Sequence, residues 1–303
     1  MTLRIKKIQF FVVCLILSGF MTISCTSDNT GNLIKNSSAS LSSFKRLPDT
    51  TIKIPWSQND RKVFLIPSNT LFCRGNILLL HGWNLAPLGW CEQTSLCKQL
   101  RDAGFNIIIP DMGKSIYATE IYDETLPTMA QQPLKSWLTD TVLTYLNDSF
   151  NLFNKETKNF IVGLSTGARG AFAIGLDRPD MFDGVVVLSG DYDQTLMPND
   201  NLMTYFFGSY EDYPERWQGE DNLLRKADKW ELPIYIGHAQ NDNVVPWQQS
   251  DTLNKILLKA GKVIPETHFP KNYGHDYTYW ESESQNIITF IKKICDNDII
   301  SEK

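Results

Sequence analysis

The segment "GLSTG" (163–167) sets Ser165 between two glycines. A serine so placed can attack a carbonyl if three conditions are met. The backbone must turn sharply enough to lift the hydroxyl clear. A base must take its proton. N–H donors must wait where an oxyanion develops. The sharp turn holds the serine in a sparsely allowed backbone region, at a cost on the order of 1–3 kcal/mol. Residues two positions away must then lack bulk, and Gly163 and Gly167 do. The apolar "NFIV" before this segment reads as a strand, and "ARGAFAIG" after it reads as a helix, which is the setting a nucleophile elbow requires. The residue after the serine, Thr166, would present its backbone N–H at the helix N-terminus, where the dipole favours an anion.

The chain has four histidines to serve as base. His81 and His238 end apolar runs, and His268 lies inside one. His275, in "KNYGHDYTYW", follows the last strand candidate and precedes the last helix. Its loop position and Gly274 make it the candidate base. A carboxylate must hold the tautomer of that base, and Asp242 in "GHAQNDNVVPW" lies in the loop after the preceding strand candidate. Asp191 and Asp193, in "LSGDYD", are the rival carboxylates. The chain order Ser, Asp, His favours Asp242. Asp276 adjoins His275, so its side chain should point elsewhere. The second oxyanion donor is expected from "HGWN" (81–84), at the Trp83 N–H. The Trp83 indole is also a candidate wall for an acyl pocket. His81 is expected to order that loop by hydrogen bonding.

These residues need a scaffold that brings strand ends to one edge. Apolar runs occur at 51–56, 62–67, 76–82, 106–111, 159–163, 184–190, 233–239 and 263–269. The middle ones are continuous, as strands buried on both faces of a parallel sheet must be. Helical patterns lie between them at 92–103, 133–149, 166–177, 247–260 and 281–296. The alternation predicts an α/β fold with a mostly parallel, doubly wound sheet of about eight strands. The first two strands lack an intervening helix and should pair antiparallel. The segment 191–229 has no βα pattern and reads as a small cap-like insertion. Its aromatic residues Tyr205, Phe206, Phe207, Tyr210, Tyr213 and Trp217 could line a ring-binding pocket or simply pack the cap.

The N-terminus reads as a targeting segment. Arg4, Lys6 and Lys7 precede the apolar "FFVVCLIL", and "SGFMTISC" leads to Cys25. This resembles a lipoprotein signal, with residues 1–24 removed and Cys25 lipidated. Residues 25–48, rich in Ser and Asn, read as a flexible tether ahead of a domain at 49–303. The expected location is the bacterial cell envelope, with membrane contact only through a lipid on Cys25. A net charge of −5 gives no electrostatic footprint for nucleic acid. Cys73, Cys91, Cys97 and Cys295 allow three disulfide connectivities. Cys91 and Cys97 can bridge only if Cys91 precedes the helix, and buried free thiols are the alternative. No metal-ligand spacing is present.

Taken in order, "LLLHGW", "GLSTGARGAFAIG", "VVVLSGDYD", "GHAQNDNVVP" and "NYGHDYTYW" resemble the α/β-hydrolase superfamily. Within it, the chain is similar to bacterial serine esterases of the esterase D and feruloyl esterase kind. Ala168 stands where these enzymes often carry a second glycine. The resemblance implies a Ser165–His275–Asp242 triad that cleaves carboxylic esters of small molecules or glycans, without cofactor or metal. A serine peptidase or acyltransferase would use the same residues, and a non-catalytic anchored binding protein could keep the fold.

Overall fold

An eight-stranded sheet forms the centre of the computed structural model, which describes residues 47–57, 59–71 and 73–301, with side chains of the last helix described as far as Asp296. The expected signal segment, the lipidation site at Cys25 and the expected tether as far as residue 46 lie outside the described residues. The strands are β1 (Thr50–Trp56), β2 (Asn59–Ile66), β3 (Gly75–Leu80), β4 (Phe105–Pro110), β5 (Lys158–Leu164), β6 (Gly184–Leu188), β7 (Ile234–Gly237) and β8 (Glu266–His268). They lie side by side in the order β1-β2-β4-β3-β5-β6-β7-β8. β1 pairs antiparallel with β2, and β2 antiparallel with β4, whereas every other pairing is parallel. The expected α/β architecture and the antiparallel first pair are both present.

The continuous apolar runs follow from this placement. Leu78, Leu80, Ile108, Ile161, Val185 and Val187 face one side of the sheet and join one core. Ile77, Leu79, Ile107, Ile109, Val162 and Val186 face the other side and join a second. Side chains alternate with a period of two, so a strand covered on both faces must be apolar at every position. The first core is closed by α3 (Leu143–Phe150), α4 (Thr166–Asp177) and α6 (Gln248–Ala260). The second is closed by α2 (Leu96–Asp102), α7 (Tyr277–Ser282) and α8 (Ser284–Ser301). Asn106, Asn76 and Asn159 lie at the starts of three adjacent strands. Asn106 Nδ2 donates to Asn76 Oδ1 (3.1 Å), and Asn76 Nδ2 donates to Asn159 Oδ1 (3.0 Å). This buried amide row pins the register of β4, β3 and β5, because a slip would leave unpaired polar groups in the core.

Two helical boundaries differ from the expectation. The pattern at 92–103 is two helices, α1 (Gly89–Gln93) and α2, separated at Thr94 and Ser95. The Thr94 hydroxyl donates to Trp90 O (2.6 Å) and accepts from Leu96 N (3.3 Å), so a side chain ends one helix and starts the next. Cys91 therefore does precede the helix of Cys97, and the two form a disulfide across the break. Among the described residues Cys73 and Cys295 are free thiols. The pattern at 133–149 begins with a π-helical stretch, Trp137–Val142, before α3. The segment 191–229 holds α5 (Asn201–Phe207), single turns at 194–196 and 214–217, and a 3₁₀ helix at Leu223–Lys229.

Candidate active site

Ser165 sits between β5 and α4 with φ 54° and ψ −128°, a region that non-glycine residues rarely occupy. The crowding around it explains the flanking glycines. A Cβ on Gly163 would lie 2.2 Å from Gly167 O, and one on Gly167 would lie 2.2 Å from Leu80 O. Neither neighbour can yield, because both atoms are backbone. The close passage of β3 thus requires glycine at 167, and the tight start of α4 requires it at 163. Ser165 N donates to Leu188 O (2.9 Å), which ties the turn to the end of β6.

His275 precedes α7 and reaches the serine. Its Nε2 is 3.0 Å from Ser165 Oγ, and its Nδ1 is 2.6 Å from Asp242 Oδ2. The carboxylate can only accept, so Nδ1 carries the hydrogen and Nε2 is free to accept from the hydroxyl. The structure brings together all three residues that the sequence singled out for this role. Asp276 accepts from Tyr279 N and caps α7, pointing away as expected. The ring of His275 packs edge-on against Trp280, with centroids 5.3 Å apart.

Asp242 is fully buried, and burial alone would push its carboxyl up. Donors around it outweigh that effect. His238 and His275 approach Oδ2, and the backbone N–H groups of Val244 and Val245 donate to Oδ1 at 2.8 Å each. Together they hold the carboxyl well below the usual carboxylate range. The rival Asp191 has a different partner. It forms a buried ion pair with Arg169 (2.9 Å), and Arg169 also donates to Gln194 Oε1 and Asp221 O. Burial pushes the Asp191 carboxyl up, and the guanidinium offsets this only in part. Arg169, one turn into the serine's helix, therefore anchors the 191–229 segment. Asp193 accepts from Thr195 N and Asn222 Nδ2 within that segment.

The loop after β3 lies against the serine. A Cβ on Gly82 would come within 3.0 Å of Ser165 Cβ. His81 orders this loop, as expected. Its Nδ1–H donates to Gly82 O (2.8 Å), and its Nε2 accepts from Met112 N (3.0 Å). Burial lowers its pKa and favours the neutral ring. Neighbouring N–H groups in the turn are taken, Asn84 N by Gly113 O and Leu85 N by Gly82 O. Among the described residues no acceptor takes the N–H of Trp83 or of Thr166. Both residues line a cavity of about 340 Å³ that also holds Ser165 and His275.

That cavity is mainly apolar, with walls from Leu85, Met203, Val245 and Trp280. The 191–229 segment contributes Met197, Asp200, Leu202 and Met203. Its large aromatic residues are elsewhere. Phe206, Phe207 and Trp217 pack with Ile116 and Met129 into a separate small core, so they hold the segment together and do not touch the cavity. No feature of the sequence marked His238 or Arg169 as neighbours of the site.

The family model described as "Putative esterase" matches residues 76–289. The chain belongs to this esterase family. Its reaction class is carboxylic-ester hydrolysis, and its fold is that of the α/β-hydrolases. A diacylglycerol acyltransferase/mycolyltransferase, Ag85B, of Mycolicibacterium smegmatis is 19% identical over 241 residues, covering 68% of this chain and 72% of that protein. An acetyl esterase of Caldicellulosiruptor saccharolyticus is 23% identical, covering 73% and 84%. The solved structure of an esterase D-like S-formylglutathione hydrolase from Staphylococcus aureus superposes with a TM-score of 0.64 at 20% identity, covering 82% and 99%.

The charge on Asp242 has a measurable consequence for this esterase. A carboxyl whose folded-state pKa is depressed adds stability above its unfolded value, about 3.9, and loses it as pH falls toward the folded value. Urea unfolding of the Asp242→Asn variant should therefore show a weaker loss of stability below about pH 4 than the wild type does. Parallel curves for the two proteins would show that the web of donors does not act on the carboxylate.

Proposed function

We propose that Ser165 is the nucleophile, His275 the general base and acid, and Asp242 the residue that orients His275 in a serine esterase cycle. The unbroken hydrogen-bonded series from Ser165 Oγ through His275 to Asp242 carries this reading. The Ser165 hydroxyl gives its proton to His275 Nε2 as Oγ attacks the ester carbonyl. The Trp83 and Thr166 N–H groups hold the tetrahedral oxyanion. His275 Nε2–H then protonates the departing alcohol and leaves an acyl-enzyme. Water enters and gives a proton to the same nitrogen as its oxygen bonds to the acyl carbon; His275 then returns that proton to Ser165 Oγ as the bond to the acyl group breaks and the acid leaves. The scheme uses protein groups and water only.

The cavity volume and its apolar walls suit short acyl chains. Small esters or acylated glycans of the cell envelope are the proposed substrates. The lipoprotein-like N-terminal sequence leading to Cys25 supports that setting, and the Cys91–Cys97 bridge suits an oxidising compartment. Retention in the membrane fraction, lost in the Cys25→Ala variant, would check the anchor. Likeness to an acyltransferase makes transfer to an added alcohol the second reading. Product analysis in water with and without a competing alcohol separates the two.

The direct assay is hydrolysis of p-nitrophenyl acetate and butyrate by the full-length protein and by Ser165→Ala. Loss of about 10⁴-fold or more in kcat is expected in the variant. Comparable rates in both proteins would overturn the assignment of Ser165. Matched amide substrates should react far more slowly than the esters, and parity would favour a peptidase.

A further inference from the structure

His238 has no part in the scheme above, yet it is fully buried at the end of β7 and lies against Asp242. Its Nε2 is 3.1 Å from Val245 O and 3.2 Å from Asp242 Oδ2. Both neighbours only accept, so Nε2 carries the hydrogen. In the neutral ring Nδ1 then accepts from the hydroxyl of Ser250, 2.7 Å away and itself fully buried. Ser250 thus sets the tautomer that places the single Nε2–H between Val245 O, its hydrogen-bond partner, and Asp242 Oδ2. Neither His238 nor Ser250 lines the substrate cavity.

We propose that His238 is a positioning residue that shares Asp242 Oδ2 with His275 and fixes the carboxylate for its work on that ring. The proposal rests on the triad reading. A carboxylate offers about four acceptor sites. Val244 and Val245 occupy Oδ1, and the two imidazoles occupy Oδ2. Three hydrogen bonds and the shared His238 N–H restrict rotation of the carboxylate, so His275 meets its oxygen in one place. The second imidazole also draws off part of the charge that His275 faces. Other ionisable groups line the same cavity as His275. Asp276 and Tyr277 flank His275 in sequence, Asp191 and Asp200 line the cavity from the 191–229 segment, and Asp191 is held by Arg169. Among the described residues no lysine or arginine lines the cavity.

The test separates a donor to Asp242 from mere filling of space. A glutamine side chain places its N–H₂ near the position of imidazole Nε2. Asparagine places its own near Nδ1, and cannot reach Asp242. In ester hydrolysis by the full-length protein, His238→Asn should lower kcat about tenfold with KM within about twofold, because the donor is lost and the cavity is untouched. Its acid limb of kcat/KM should move up by about half a pH unit, since the less neutralised carboxylate stabilises the His275 imidazolium. His238→Gln should recover kcat to within about threefold of the wild type and restore the limb. Wild-type behaviour of His238→Asn would overturn the proposal, as would equal losses in the two variants. Should His238→Asn fail to fold, Ser250→Ala releases the tautomer and should shift the limb in the same direction, and an unmoved limb there would also overturn it. Activity retained by Ser165→Ala would instead sink the triad reading itself.

Discussion

The crowded turn between β5 and α4 constrains everything else at this site. Ser165 occupies a backbone region that costs on the order of 1–3 kcal/mol, and it stays there because the surroundings permit nothing else. β3 passes so close that Gly167 has no room for a Cβ beside Leu80 O, and Gly163 has none beside Gly167 O. The hydrogen bond from Ser165 N to Leu188 O adds β6 to the clamp. Three parallel strands thus converge on one residue. Their register is pinned at the opposite ends in part by the asparagine row at the starts of β4, β3 and β5. Strain at the serine is a local cost offset by the sheet as a whole.

Electrostatics completes what the backbone begins. Asp242 is a charge without solvent, and it persists only because donors surround it. Two come from its own loop and two from histidines, one on each side. Arg169 and Asp191 form a second buried pair one helical turn from the serine. Replacing one member of such a pair leaves an uncompensated charge, whereas together they lock a segment in place. Here that segment is 191–229, which supplies Met197, Leu202 and Met203 to the cavity wall. The helix that bears the serine and the segment that shapes the cavity are therefore coupled through one guanidinium.

Much of this was legible in the residues before any coordinates. The central strands, covered on both faces, write themselves as unbroken apolar runs, and the partly exposed β1, β2 and β8 also lie within apolar stretches, with edges off by a few residues. Ser165, Asp242 and His275 each follow a strand candidate, and the fold class sends those ends to one edge. The rest depends on specific side-chain bonds, local or distant, that no periodic pattern discloses. The helix break at Thr94 arises from a hydroxyl bonding its own backbone, which a periodic apolar pattern does not reveal. His238 reads as the polar end of a strand, and its role emerges only when the loop folds Asp242 back onto it. Arg169 lies in a small-residue helix, and its carboxylate comes from beyond the next strand. The cap aromatics could have faced either way, because composition does not encode direction.

In the proposed cycle Ser165 alone carries the reactive hydroxyl. Intact-mass analysis of the full-length protein after treatment with diethyl p-nitrophenyl phosphate tests it most directly. One diethylphosphoryl adduct per chain is expected, mapped by peptide sequencing to Ser165, with esterase activity falling in step and no adduct on Ser165→Ala. An adduct at another residue, or full inactivation with Ser165 unmodified, would contradict it.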